Sequence, residues 1–596
     1  MNSMSSEIAP AGGASAGVRG AGLAIDGLRV RYPGRRRPAL DGATMAVELG
    51  EIVGVAGRTG AGKSTLALAA AGFIPRVVRA HVEGRATIAS IDLAGATAAD
   101  LLGKVGIVFA TPANQLSASK LTVREELAFG LENLAVPRSE MDERIDATLH
   151  RLGISHLADR EPFALSGGEQ QRVAIASIVA MGTKILVLDE PTAQLDPAGT
   201  AMVAQLLREI ADDGTAVLVV EHDPVVLTEA DRVVVLDAGQ VIATGHPGEA
   251  LSPEVLKPLG LPSPTLIALG AMAGVPPADR FDAKVVAEAL RREVGRAVPA
   301  TSPRPAVLPW RPVRDQPPTS VTVESLTHRY ASSSIEAVRG VSLEIGAGDT
   351  VAIVGQNGSG KTTLVKHLNG LLRPTSGRVM IGGDAIEGRP IHEIAARVGF
   401  VFQNPDDQLF ERSVEREVGF GPRNLALPAE SIRTLVEAAL EAVGLTDVRG
   451  TNPYDLDLSR RKLVALASVL ALDAAVLVLD EPTTGQDGPG IASVGAVIEG
   501  LRAAGRTVIA ITHDMEFAAG HFARIIVMTA GQVILDGAPA VVFAPEQADL
   551  LATAGITAPV AGRLGARLGL GSTPTVDALL AALAAGASSA SAHDGG

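Results

Sequence analysis

The chain of 596 residues has no cysteine, so it forms no disulfide, iron–sulfur cluster or thiolate zinc site, and its composition fits a reducing compartment. Aromatic residues make up only 3% of it, while alanine and glycine are abundant, which accounts for its positive mean hydropathy without a membrane anchor. No stretch approaches 18 consecutive apolar residues, and Met1 to Gly22 is Ser/Gly/Ala-rich with no charged segment leading into an apolar one. Neither a membrane span nor a secretory signal is expected. Nor is there an excess of basic residues: the formal charge is −14, whereas a nucleic-acid partner normally leaves a basic footprint.

What the chain does have, twice, is a phosphate loop. Gly57-Arg58-Thr59-Gly60-Ala61-Gly62-Lys63-Ser64 and Gly355-Gln356-Asn357-Gly358-Ser359-Gly360-Lys361-Thr362 both satisfy G-x-x-x-x-G-K-[ST]. Each follows an apolar strand-like run, Ile52 to Ala56 or Val351 to Val354, and each opens a helical pattern beginning Lys63-Ser64-Thr65 or Lys361-Thr362-Thr363. Glycines there let backbone N–H groups close around phosphates at a helix N-terminus, and the lysine adds a point charge. ATP is the expected ligand, with the hydroxyl of Ser64 or Thr362 offered to Mg²⁺.

The duplication runs through the whole chain. Lys63 and Lys361 are 298 positions apart, and Asp189 to Asp480 and His222 to His513 are both 291. Expected boundaries are a disordered N-terminus at 1–21, a first domain at 22–250 and a helical extension at 251–297 packing back on it. A proline-rich semi-rigid linker at 298–319, a second domain at 320–545, a C-terminal helical extension at 546–586 and a disordered tail at 587–596 complete the set. Apolar strands such as Ile185 to Leu188 and Ala216 to Val220 alternate with helices, predicting an α/β fold with a parallel sheet covered by helices.

The runs Ile185–Leu188 and Val476–Leu479 end in the acid pairs Asp189-Glu190 and Asp480-Glu481. Ligands meet an open parallel sheet at strand ends, where the Asp can hold Mg²⁺ and the Glu can polarise the attacking water. His222 and His513 each lie 32 residues beyond their Glu, a repeated spacing that favours a contact to the γ-phosphate.

With Leu165-Ser166-Gly167-Gly168-Glu169 added, the chain resembles a tandem ATP-binding-cassette (ABC) ATPase, over about 22–260 and 320–560. Ser166 and Glu169 make a capping-box pattern, and Gly167 and Gly168 leave amides open to a phosphate. The resemblance implies two P-loop cassettes, each a RecA-like, mostly parallel sheet with an antiparallel β subdomain and a helical signature subdomain. It implies that they pair within the chain head to tail, each signature completing the other's ATP site, and that Tyr32 and Tyr330 stack on adenine. Gln403 would contact Mg²⁺ and the reacting water. A narrower resemblance, to the energy-coupling-factor (cobalt and vitamin import) ATPases, comes from Val401 to Phe410, Val418 to Leu425 and Thr573 to Leu583. It implies an integral membrane coupling protein and a substrate-capture membrane subunit as partners. It also implies a peripheral site on the cytoplasmic side of the cell membrane and no nucleic-acid partner. Another importer class, or a soluble tandem-cassette protein acting on ribosomes or DNA, shares the core motifs and stays open at this point.

The halves are not equally complete. The 291 offset sets Asp457, Leu458, Ser459 and Arg460 opposite Ser166 to Glu169, and Val105 to Phe109 aligned on Val398 to Phe402 sets Ala110 opposite Gln403. A carboxylate facing a phosphate near 4 Å costs about 4 kcal/mol at an effective dielectric of 20, which Arg460, Arg461 and Lys462 could offset in part. Because the halves cross over, both losses fall on the site of Lys63, Asp189 and Glu190. The expectation is brisk hydrolysis at Lys361, Gln403, Asp480, Glu481 and His513, and retention of nucleotide at the other site.

Overall fold

In the computed structural model, which describes residues 21–193, 195–293, 319–331 and 335–593, each half is built on two sheets. Ile52–Gly57, Ile185–Asp189 and Ala216–Val220 are buried at every position, as their unbroken apolar runs require of strands covered on both faces. The six-stranded sheet runs 240–245, 232–237, 52–57, 216–220, 185–189, 105–108. All neighbours are parallel except the first pair. The second half repeats this order with strands 532–537, 524–529, 350–354, 507–511, 476–480 and 398–401. A four-stranded antiparallel sheet, 40–48, 21–31, 81–88, 91–92, and its counterpart in the second half cover one face. Its inward Leu23, Ile25, Leu28 and Val30 share a core with Val53 and Leu66.

The helical middle lies between strands 105–108 and 185–189. Its last helix, Gly167–Val179, and the second half's Leu458–Leu470 keep the 291 offset at both ends, as do the short turns Pro162–Ala164 and Pro453–Asp455. One helix differs. Val123–Asn133 is continuous, but its counterpart is divided into Val414–Val418 and Phe420–Asn424, where Pro422 has no amide to give back to the preceding turn.

Two boundaries need correction. The first extension was expected to pack back on its own half, and its first part does so through Leu251, Val255, Leu256, Leu259, Leu261 and Ile267. Helices Thr265–Met272 and Ala283–Glu293 instead share a core with Val560–Leu568 and Val576–His593 of the second half, through Leu269, Val286, Leu290, Leu564, Leu579 and Leu583. The strongly amphipathic helix 283–293 has an apolar stripe that the first half alone does not cover. The last helix also runs to His593, past Ala587 where disorder was expected, because its Ala/Ser-rich sequence contains the best helix former. The expected N-terminal disorder up to residue 20, the linker up to residue 318 and the last three residues lie outside the described residues. Among the described residues no helix is long and apolar enough to cross a membrane.

Candidate functional site

Both phosphate loops are shaped by glycines that admit no side chain. Gly57 and Gly355 have φ 150° and 154°, and a Cβ on either would stand 2.2 Å from the carbonyl oxygen of Leu236 or Met528. Gly62 and Gly360, left-handed at 105° and 97°, would drive a Cβ to within 2.3 and 2.2 Å of the carbonyls of Ala39 and Ala337. Gly60 and Gly358 face open space. Inside the first loop, Lys63 Nζ donates to the carbonyls of Gly57 (2.9 Å) and Arg58 (3.0 Å). In the second, Lys361 Nζ donates to Gly355 (2.8 Å), Gln356 (2.7 Å) and Ser359 Oγ (3.4 Å). Burial lowers both ammonium groups, Lys361 to about 8. A buried cation held by carbonyls rather than by a carboxylate fits an incoming phosphate.

Beside each loop lies a pair of hard oxygen donors of the kind that would hold a magnesium ion. Ser64 Oγ is 3.2 Å from Asp189 Oδ1, and Thr362 Oγ1 is 3.4 Å from Asp480 Oδ1. Burial, then the neighbouring Glu, pushes both aspartates up to about 6. Thr65 and Thr363 are buried on the same helices, and each hydroxyl lies 3.1 Å from the phenol of Tyr32 or Tyr330. The predicted adenine platforms are thus tied to the phosphate-loop helices.

Glu190 and Glu481 sit just past the strand ends with left-handed φ of 52° and 50°, strain that a surrounding structure must impose. His222 Nε2 is 3.4 Å from Glu190 and His513 Nε2 2.9 Å from Glu481. Burial raises both glutamates, but the imidazole partner outweighs it, leaving each below the ordinary carboxylate range. At Glu481 the shell is fuller: Gln403 Nε2 donates at 2.7 Å and Thr484 Oγ1 at 3.2 Å. At Glu190 those positions are Ala110 and Ala193, which have nothing to donate. The alignment behind this contrast holds in the fold. Gln115 and Gln408 each accept from the amide of the residue just past their strand at 3.1 Å, and each donates to the signature helix at 2.8 Å.

The signature segment forms the expected capping box. Ser166 caps the helix, its hydroxyl lies 2.7 Å from Glu169, Gly167 is exposed and Gly168 half-buried. Its counterpart caps with Asp457, whose Oδ1 accepts from Arg460 N at 2.9 Å, so the helix survives with Leu458 and a buried Ser459 in place of the two glycines. Of the three cations expected to offset Asp457, two turn away: Arg461 pairs with Asp406 at 2.6 Å, and Lys462 is buried with its ammonium 3.4 Å from the Glu481 carbonyl. Arg460, whose guanidinium is 3.9 Å from Asp447, lines with Asp457 a cleft of about 600 Å³ whose other wall is Pro33, Gly34 and Arg35 of the first half.

That cleft shows the crossing of the halves, and two aspartates repeat it. Asp196 Oδ2 accepts from the amide of Asn357 in the other half's phosphate loop at 3.2 Å, and the charge of Asp487 acts on Lys63. Residues missed at the sequence level are Asp196, Asp487, Thr484 and Glu221. The first two lie seven residues past Asp189 and Asp480 and are themselves 291 apart, a signal that was there to be found.

Residues 40–193 and 338–484 match the ABC transporter family. A protein of Methanosarcina acetivorans bearing the name ABC transporter ATP-binding protein is 38% identical over 563 residues, 91% of this chain and 89% of its own. One of Streptomyces coelicolor with the same description is 34% identical, covering 89% of this chain and 97% of its own. The structure of cbiO1 from Clostridium perfringens, part of the ABC transporter complex cbiONQ, shares 34% identity, covers 42% of this chain and 95% of its own, and has a TM-score of 0.37. The chain belongs to the ABC transporter family: it is a fused pair of ATP-binding cassettes with the P-loop α/β fold, and an ATPase of the transport class.

Proposed function

We propose that this chain is the motor of an energy-coupling-factor importer on the cytoplasmic face of the cell membrane, moving a vitamin, a vitamin precursor or a transition-metal ion. Its two sites divide the work: the Lys361 site hydrolyses ATP and the Lys63 site chiefly holds it. The observation that carries this division is the unequal shell of the two glutamates, with Gln403, Thr484 and His513 around Glu481 but, among the described residues, His222 alone in that role at Glu190.

In the working site the loop amides and Lys361 grip the phosphates, and Tyr330 meets the base. Asp196 and Ser166 to Gly168 close over them from the other half. Glu481, ionised and aimed by Gln403 and His513, takes the proton of the attacking water as the bond to the γ-phosphorus forms and the bond to the leaving oxygen breaks. A magnesium ion held by Thr362, Asp480 and Gln403 would neutralise charge on the phosphates. Loss of the γ-phosphate removes what the signature amides hold, and the halves part on that side. In the holding site, Asp457 in place of a serine sets a carboxylate where an amide cradle should meet the phosphate.

Support for a membrane partner of this type comes from the surface beside Gln403. Phe410 and Phe420 are exposed and stack edge to face at 4.7 Å, an apolar pair next to the loop that senses the nucleotide. Purification of the Glu481→Gln chain from membranes with ATP tests the assignment. Integral membrane proteins should come with it, and recovery of ribosomes in their place contradicts it.

A further inference from the structure

At the base of the first site one buried carboxylate does something that has no counterpart in the second. Glu221 is 3% exposed and lies between strand end Val220 and His222. Its Oε1 accepts from both the amide (2.9 Å) and the hydroxyl (2.5 Å) of Thr192, two residues past Glu190. Its Oε2 accepts from the amides of His222 (2.9 Å) and Asp223 (3.3 Å). A single side chain therefore ties together the two loops that carry Glu190 and His222. The 291 offset puts Thr512 at this place in the second half and Thr483 opposite Thr192. There the two hydroxyls are 3.4 Å apart and Thr512 accepts from the amide of Asp514, at 3.1 Å.

Burying a carboxylate is costly, and four donors on it satisfy nearly every lone pair it has. That investment falls in the half whose glutamate lacks the glutamine amide. We propose that Glu221 is a positioning residue of the first nucleotide site: it fastens the Glu190 and His222 loops from below and so replaces the anchoring that Gln403 gives Glu481 from above. It acts through His222 and Glu190. The proposal rests on the division of labour above, and explains how a site without its glutamine keeps a nucleotide.

The test is release of a fluorescent ATP analogue from the full chain, chased with excess ATP. Two phases are expected, the slow one from the first site. Glu221→Gln keeps the oxygen that faces Thr192 but sets an amide against the amides of His222 and Asp223. It should speed the slow phase about tenfold, the worth of one hydrogen bond, and leave the fast phase within about twofold. Adding Ala110→Gln should restore the slow phase, since a glutamine there can hold Glu190 as Gln403 holds Glu481. Thr192→Val, which removes only the hydroxyl donor, should give a smaller acceleration. A slow phase unmoved by Glu221→Gln, acceleration of both phases alike, or no rescue by Ala110→Gln overturns the proposal. A single phase in the parent chain instead overturns the two-site reading on which it rests.

Discussion

Replacing Gln403 by alanine makes the second site resemble the first at the position that separates them most. Its Nε2 lies 2.7 Å from Glu481 Oε2. A hydrogen bond to a charged group is worth about 1.5 to 3 kcal/mol, and each 1.4 kcal/mol is about a factor of ten. If the bond aims the carboxylate at the water, the loss appears in kcat, which should fall about 10- to 100-fold. KM should move by less than about threefold, because Lys361 and its loop hold the phosphates without Gln403. Gln403 is exposed, so the melting temperature should stay put, and the lost rate cannot be charged to unfolding. The assay is phosphate release by the full chain across ATP concentrations. A kcat within twofold of the parent, or a loss carried wholly by KM, would refute the reasoning.

Other consequences follow from the same geometry. Lys361→Ala should abolish steady-state turnover, while Lys63→Ala should lower the stoichiometry of retained nucleotide more than the rate, both read by filter binding alongside phosphate release. Asp480, pushed up to about 6 by burial and then by Glu481, must be ionised to serve a cation, so activity should decline as pH falls through about 6. The sign for folding is opposite. A carboxylate raised in the folded state is more stable protonated, so this group's contribution to stability is largest at low pH and is lost as pH rises from about 4 to about 6; Asp480→Asn should flatten that part of the melting-temperature profile. Arg506 and Asp473 form a buried pair at 3.0 Å with side chains 3% and 1% exposed, so Arg506→Ala should cost about 3 to 5 kcal/mol in denaturant unfolding.

Much of this was legible because it was written twice. Local chemistry that repeats at 291, such as the caps Ser166 and Asp457 or the strand ends at Asp189 and Asp480, could be placed without coordinates, since each depends on neighbours a few residues away. The partners of long side chains could not. Arg461 and Lys462 sit in sequence beside Asp457, but helical geometry sends one to Asp406 and the other beneath Glu481. Glu221 reads as one more polar residue at a strand end, and its four donors converge only because strands 185–189 and 216–220 are neighbours. The meeting of the two extensions was hidden for the same reason: Leu290 and Leu564 are far apart in the chain and share a core only once the halves cross.

The division of labour itself is tested most directly by steady-state ATPase rates of the full chain with Glu481→Gln and with Glu190→Gln. Removing a general base costs a factor of about 10² to 10⁴. Glu481→Gln is therefore predicted to leave almost no turnover, and Glu190→Gln to leave much of it. Equal losses in the two variants would contradict the account.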